Sequence, residues 1–369
     1  MRILSICRGA PGLGRVVPSV GLTHTLTARH GGSVLFASYS AGAAYLRATG
    51  RECVDLGVPD GLFIDSVAPQ AVQLVELAER EQPDLILVDG EFFLTAALAH
   101  LPAPIVYLAN PHDVLGEPNT FRRVNRLLLA HASAVLISSL RCNGPEERRD
   151  LVPGTACLTV PPIVKDFAAT HRPHAGAPRV LVSMGGGSIN ADPSFRDQTD
   201  AALAAVLTAL TDCAHQGQIS AVTVVLGADA SAPSDIDQSL ITVIDKPVEL
   251  VDLYATHEIF IARAGRNATA EALYCGIPTV LIPITADRHR GGEQADNAAS
   301  ARAGTITHVP DWRECGALDD AITAALHAAG CSPRRTGARG NEAAATFLAR
   351  IHPSLADSQG TLRTPAERH

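Results

Sequence analysis

Short apolar runs alternate along the chain with longer segments whose apolar positions recur at helical spacing. Arg2–Cys7 reads as a first strand, Val17–Arg29 as a helix, Ser33–Ala37 as a strand, Ala41–Thr49 as a helix and Cys53–Leu56 as a third strand. Asp60–Ala68 shows no clear period, and Gln70–Glu81 is amphipathic. A buried strand follows within Pro83–Phe92, another in Pro104–Ala109, then a helix over Phe121–His131 and a strand over Ala134–Ser138. The same rhythm restarts at Pro178–Ser183, with a helix over Asp200–Gln216, strands at Ala221–Leu226, Leu240–Ile244 and Ile259–Ala262, a helix stopped by Gly276, and a strand over Ile277–Pro283. Helices over Cys315–Ala329 and Arg339–Ala349 close the pattern, the last one reading as a brace that crosses back to the first half. Strands alternating with helices in this way predict parallel sheets, in an α/β fold with two Rossmann-like domains.

The proline-bearing stretch between the halves fixes the predicted division. Residues 1–160 read as one domain, 161–178 as a linker, 179–352 as a second domain and 353–369 as a disordered tail rich in polar residues. A chain of 369 residues suffices for two such cores. With 46% hydrophobic and 18% charged residues it has the composition of a globular protein, and a net charge of −8 gives no electrostatic reason to expect nucleic acid as a partner. No apolar run reaches the roughly 20 residues of a membrane span, and the first apolar run is shorter than that of a signal peptide. The eight cysteines are scattered without a CxxC pair, which predicts reduced core thiols, a cytoplasmic location and no zinc site.

Candidate chemistry gathers where strands end. Arg8–Arg15 is a glycine-rich turn between the first strand and its helix. Such turns occur in α/β proteins of many functions. Asp89 and Glu91 stand at the carboxyl end of a buried strand, the edge at which open parallel sheets hold ligands. Asn110-Pro111-His112-Asp113 closes the next strand, and His112 with Asp113 can form a base and its orienting partner, although both residue types also make ordinary turns. In the second half, a strand runs into Gly185, Gly186, Gly187 and Ser188, where the backbone can approach a diphosphate. Ala264-Gly265 breaks the strand before a helix whose free N–H groups, around Arg266, Asn267 and Thr269, can hold a phosphate. Glu271, one turn further, can accept hydrogen bonds from a ribose diol.

The string from Ala264-Gly265 through Thr269, Glu271 and Gly276-Ile277-Pro278 to Gln294 and Asn297 resembles the donor-binding half of nucleotide-sugar glycosyltransferases of the GT-B architecture, in the MurG-like and UDP-glycosyltransferase-like branch. Pro83-Asp84 followed by Asp89 is similar to a further segment of that family. The resemblance implies two Rossmann-like domains facing each other across a cleft, with a nucleotide-sugar donor on the second and an acceptor on the first. It implies donor contacts from Gly14, Gly185–Ser188, Gly265, Thr269, Glu271, Gln294 and Asn297, and a nucleobase read at Ile244.

In the family the first loop often ends in Gly-His; here Gly14 is followed by Arg15. An arginine cannot act as a general base, but it can stabilise charge on a leaving diphosphate, or simply be a solvated helix-start residue. The catalytic candidates are therefore Arg15, Asp89, Glu91, His112 and Asp113. The resemblance implies inverting, metal-independent transfer with no cofactor beyond the nucleotide sugar, UDP ahead of dTDP. Lack of a basic-hydrophobic patch around Gly57–Leu74 favours a soluble small-molecule acceptor. Nucleotide-sugar epimerisation or hydrolysis on the same fold, and non-catalytic binding of a sugar nucleotide, are the alternatives. The oligomeric state stays open, a homodimer included.

Overall fold

Strand-forming runs such as Val135–Ile137 and Val280–Ile282 are apolar at every position because parallel strands are covered on both faces. The computed structural model shows what covers them. It describes residues 1–10, 12–57, 67–117, 119–165, 176–185, 193–227, 230, 236–285, 291–301, 306–331 and 338–351. The first half runs β1 (Arg2–Cys7), α1 (Val16–His30), β2 (Ser33–Ser38), α2 (Ser40–Ala48), β3 (Cys53–Asp55), α3 (Val67–Glu81), β4 (Leu85–Asp89), α4 (Phe92–Ala97), β5 (Ile105–Ala109), α5 (Pro111–Val114), α6 (Thr120–Leu129), β6 (Ala134–Ser138), β7 (Glu146–Glu147) and β8 (Ala156–Val160). The second half runs β9 (Arg179–Ser183), α7 (Pro193–His215), β10 (Ala221–Val225), β11 (Ile241–Ile244), α8 (Leu250–Tyr254), β12 (Ile259–Arg263), α9 (Arg266–Cys275), β13 (Thr279–Ile282), α10 (Gly291–Ser300), β14 (Ile306–His308), α11 (Ala317–Cys331) and α12 (Asn341–Ile351).

The first sheet has the order β3-β2-β1-β4-β5-β6-β8-β7 and the second β11-β10-β9-β12-β13-β14. All pairings are parallel except β7 with β8. Both sheets thus share one doubly wound order, in which direction reverses between the first strand of the half and the fourth. In the first sheet that switch point lies between β1 and β4, where Cys7 is paired with Asp89. In the second it lies between β9 and β12, where Ser183 neighbours Ala262.

Each sheet carries an apolar layer on both faces. Ile86, Val88 and Tyr107 pack with Leu74 of α3 and Leu94 of α4 on one side of the first sheet. On the other side Leu87 and Leu136 meet Leu22 and Leu26 of α1, together with Ala345, Phe347 and Leu348 of α12. The last described helix therefore packs on the first sheet. Asn341, at its start and fully buried, donates through Nδ2 to the carbonyls of Gly21 (3.1 Å) and Val164 (2.8 Å).

Several boundaries differ from the periodicity. The chain turns at Gly90 into helix α4, so Phe92 opens a helix rather than ending a strand. Ahead of the expected linker, where the periodicity predicts no element after Ser138, lies β8, whose five residues pair with β6. Helix α7 begins at Pro193, ahead of Asp200, proline being well tolerated in a first helical turn. The polar stretch before Asn297 turns helical at α10, so Gln294 and Asn297 stand on a helix. Of the linker expected at 161–178, residues 166–175 lie outside the described residues, as does the tail 353–369.

Candidate active site

The carboxyl ends of the two sheets open into one cleft of about 1060 Å³, lined from both halves. Ligand pockets are typically about 300–1,000 Å³, so this one has room for more than a single small molecule. The loop after β1 and the turn β5–α5 form one wall; the loops after β9, β11 and β12 with the first turns of α9 and α10 form the other.

At the first switch point, β4 ends in Asp89 and the chain turns through Gly90 with φ +94°. Any Cβ at position 90 would run into the side chains of Arg8 and Arg15, which lie across it. A left-handed φ and close approach both call for glycine. Arg15 donates to Asp113 Oδ2 (2.7 Å) and to Asp89 Oδ1 (3.3 Å). Its pKa is driven upward, Asp113 being the strongest of the favourable charges against the cost of burial. Asp89 is fully buried and also receives the Ser19 hydroxyl (3.3 Å); burial raises its pKa to about 6 despite Arg15. Asp113 Oδ2 in addition accepts the Asn110 N–H (3.0 Å) that precedes α5.

A second cluster stands beside it. Glu91 Oε1 accepts from Arg8 Nε (3.2 Å) and the Tyr39 hydroxyl (2.6 Å), and Arg8 also donates to the Gly90 carbonyl. Asp89 and Glu91 are buried behind the wall, at 0% and 2% exposure, whereas Arg15, His112 and Asp113 line the cleft.

At the second switch point the arrangement is inverted. Gly185 has φ +118° and the guanidinium of Arg263, from the end of β12, lies against it. Arg263 stacks over Phe195 of α7 at 5.0 Å and lines the cleft. Gly265 precedes α9 without a side-chain cap, so that helix start is open to an anion. Thr269 is fully buried, its hydroxyl without a partner among the described residues, and does not line the cleft. Glu271 does line it. Its Oε2 accepts the Tyr254 hydroxyl (2.9 Å), and burial raises its pKa to about 7 against the opposing effects of Tyr254 and Lys165.

The remaining candidates divide in the same way. Gln294 Oε1 accepts the Ile284 N–H (2.9 Å) and Asn297 Nδ2 donates to the Ala264 carbonyl (3.1 Å), so both fix strand ends while lining the cleft. Arg266 and Asn267 line the cleft and reach across it: Arg266 donates to the Gly14 carbonyl (3.1 Å) and Asn267 to the Leu13 carbonyl (3.3 Å). Gly14 and Gly265 both face the cleft. Ile244 does not; its carbonyl accepts the Leu226 N–H (2.9 Å), and the wall there is made by Asp245–Val251. Gly186, Gly187 and Ser188 lie outside the described residues.

The sequence reading did not single out Arg8, Arg263, Tyr45 or Lys165, all of which line the cleft. The signal available for Arg8 and Arg263 was their position at the carboxyl ends of the switch-point strands. Among the described residues no group of three or more His, Cys, Asp or Glu side chains is arranged to hold a metal ion. No described helix is long and apolar enough to cross a membrane.

Comparison with known proteins bears on this geometry. Residues 200–329 match the family model of the glycosyltransferase family 28 C-terminal domain. A 64-residue stretch is 41% identical to the UDP-N-acetylglucosamine–N-acetylmuramyl-(pentapeptide) pyrophosphoryl-undecaprenol N-acetylglucosamine transferase of Staphylococcus epidermidis, covering 17% of this chain and 18% of that protein. The chain thus aligns with less than a fifth of the length of the curated relatives it matches. Among solved structures, the spinosyn rhamnosyltransferase SpnG complexed with thymidine diphosphate superposes with a TM-score of 0.56 at 19% identity, over 99% of this chain and 100% of that one. UGT89C1 of Arabidopsis thaliana complexed with UDP-L-rhamnose superposes with a TM-score of 0.60 at 14% identity, over 97% and 98%. Two Rossmann-like domains in the GT-B arrangement are therefore the fold of this chain.

Proposed function

We propose that this GT-B chain, whose second half matches the glycosyltransferase family 28 C-terminal domain, is a glycosyltransferase that moves a sugar from a nucleoside diphosphate to an acceptor held by the first sheet. The observation that carries the reading is that both switch points open into one cleft, with an uncapped helix start and a buried carboxylate one turn beyond it on the second wall. The diphosphate is placed at the start of α9 and the Gly185 turn, where backbone N–H groups and Arg263 meet the charge that develops as the glycosidic bond breaks. No metal ion is needed for that role. Glu271 takes the ribose hydroxyls. Burial raises its pKa, and hydrogen bonds from two ribose hydroxyls would favour its ionised form.

The sugar's anomeric carbon then faces the first wall, where an acceptor attacks from the side opposite the diphosphate and inverts the configuration. Uridine is the first choice of base, supported by the relative named for a UDP-sugar donor; thymidine is the second, supported by the SpnG complex. A soluble small molecule remains the acceptor proposed. The test is release of nucleoside diphosphate from UDP- and dTDP-sugars across an acceptor panel. Release that depends on acceptor, with a glycosylated product seen by mass spectrometry, is the expected result. Equal release without acceptor identifies a hydrolase, and release with none of the donors removes the reading.

A further inference from the structure

Near Glu271 the two halves meet in a cluster of charges whose cations come from the first half and whose carboxylates come from the second. Arg51 follows α2, and its N–H donates to the Leu46 carbonyl (2.9 Å). Lys165 lies on the segment that leads to the second half, directly after a residue tied to the first. Asn341 accepts the Val164 N–H (3.1 Å) and donates both to the Val164 carbonyl and to that of Gly21 in α1. Both cations meet one carboxylate: Arg51 Nη2 stands 2.5 Å from Glu249 Oε1, and Lys165 pairs with Oε2. The Asp252 carboxylate of α8 attracts both cations as well, and Lys165 also acts on Glu271.

The Arg51–Glu249 pair is sheltered, its side chains being 18% and 8% exposed, so salt screens it less than the exposed Arg141–Asp296 pair at the rim. Glu249 immediately precedes α8 but does not cap it; its carboxylate is turned to the cations instead. At the other end of this five-residue helix, Tyr254 donates to Glu271 Oε2. One short helix thus connects a residue gripped by the first half to the carboxylate assigned above to the ribose. Glu249, Lys165 and Glu271 line the cleft, whereas Arg51 does not.

We infer, resting on the transferase reading above, that Arg51 is a positioning residue for the donor. By holding Glu249 across the junction it fixes α8, and through Tyr254 the Glu271 carboxylate. The first half thereby sets the affinity of the second for a nucleoside diphosphate that Arg51 itself never touches. The coupling is reciprocal, so a seated nucleotide strengthens the junction in turn.

The test is calorimetry of the full chain with UDP and dTDP, on the parent and on Arg51→Met, Arg51→Lys, Glu249→Ala and the double variant Arg51→Met/Glu249→Ala. Coupling between two sites commonly changes affinity about 5-fold or more, and Arg51→Met is expected to lose at least that much. Arg51→Lys is expected to recover most of the loss, because a single Nη2 contact needs a cation rather than the guanidinium fork. With Glu249 already removed, Arg51→Met should change affinity by less than about twofold, the non-additivity that marks an effect carried by the pair. Arg51→Gln takes the place of Arg51→Met in the series if the methionine variant does not fold. Parent-like affinity without Arg51, or the same loss whether or not Glu249 is present, overturns the inference and leaves the transferase reading standing. A folded parent that binds neither nucleotide removes the donor reading, and this inference with it.

Discussion

The two walls of the cleft are cut from the same strand order, and at both switch points a glycine with positive φ lies under an arginine. They differ in what their charges do. On the first wall Arg15 holds Asp89 and Asp113, and Arg8 holds Glu91, so cations and carboxylates are already paired with one another. On the second wall Glu271 has, among the described residues, only the Tyr254 hydroxyl at hydrogen-bond distance and is perturbed upward by burial, and α9 begins without a side-chain cap. A wall whose charges are paired with one another keeps its shape without a ligand. A wall that leaves polar groups short of partners is one that a ligand completes.

The sharpest way to break the comparison is to unpair the first wall. Arg15→Ala leaves two carboxylates facing each other with little solvent, and removing one partner of a buried ion pair costs about 3–5 kcal/mol. Chemical denaturation should show a loss of that order; a loss under about 1 kcal/mol would mean that the cluster is not what holds this wall. The paired glycines give the next contrast. Gly90→Ala sets a Cβ against the Arg8 Cβ at φ +94°, and about 1–3 kcal/mol of stability should be lost. At Gly185 the obstacle is the tip of Arg263, which can swing away, so Gly185→Ala should cost less stability and more nucleotide affinity. Equal losses of stability would erase the distinction drawn between the walls.

A pH series sharpens it further. Burial raises Glu271 from 4.5 to about 7, so the folded state favours its protonated form. The stability this contributes is complete below about 4.5 and is lost as pH rises through about 7. Glu271→Gln should therefore be more stable than the parent above neutral pH, by about 1–3 kcal/mol in chemical denaturation, with the advantage fading under acid conditions. The smallest effect belongs to the rim. Arg141 and Asp296 pair across the halves at 3.2 Å but are 67% and 49% exposed, and Arg141→Ala should change stability by less than about 1 kcal/mol in a denaturant titration.

Much of this was legible from pattern because parallel strands buried on both faces leave unbroken apolar runs, and Gly276 or Gly90 at positive φ marks where such runs must turn. The α9 unit, from Ile259 to Ile282, could be read almost to the residue for that reason. β8 could not, since its Ala-Cys-Leu-Thr-Val run follows a charged, turn-rich stretch and borrows its identity from pairing with β6. At the site, sequence placed Arg15, Asp89 and Asp113 at strand ends but gave no sign that they form one cluster, because 74 and 98 residues of chain separate Arg15 from its partners. Local order likewise offered the backbone N–H groups around Arg266 and Asn267 to a phosphate, but gave no sign that their side chains tie α9 to the loop at Leu13 and Gly14. Ile244 lost its proposed place for a related reason: sheet pairing occupies its carbonyl and leaves the following turn to face the cleft.

The central claim is that the second wall is completed by a nucleoside diphosphate. Isothermal calorimetry of the protein with UDP and dTDP, repeated on Glu271→Ala, tests it most directly. Hydrogen bonds to a charged group are worth about 1.5–3 kcal/mol, so one diphosphate should bind at one site per chain and lose about tenfold or more in affinity in the variant. No heat of binding from either nucleotide, or binding that Glu271→Ala leaves unchanged, would contradict the account.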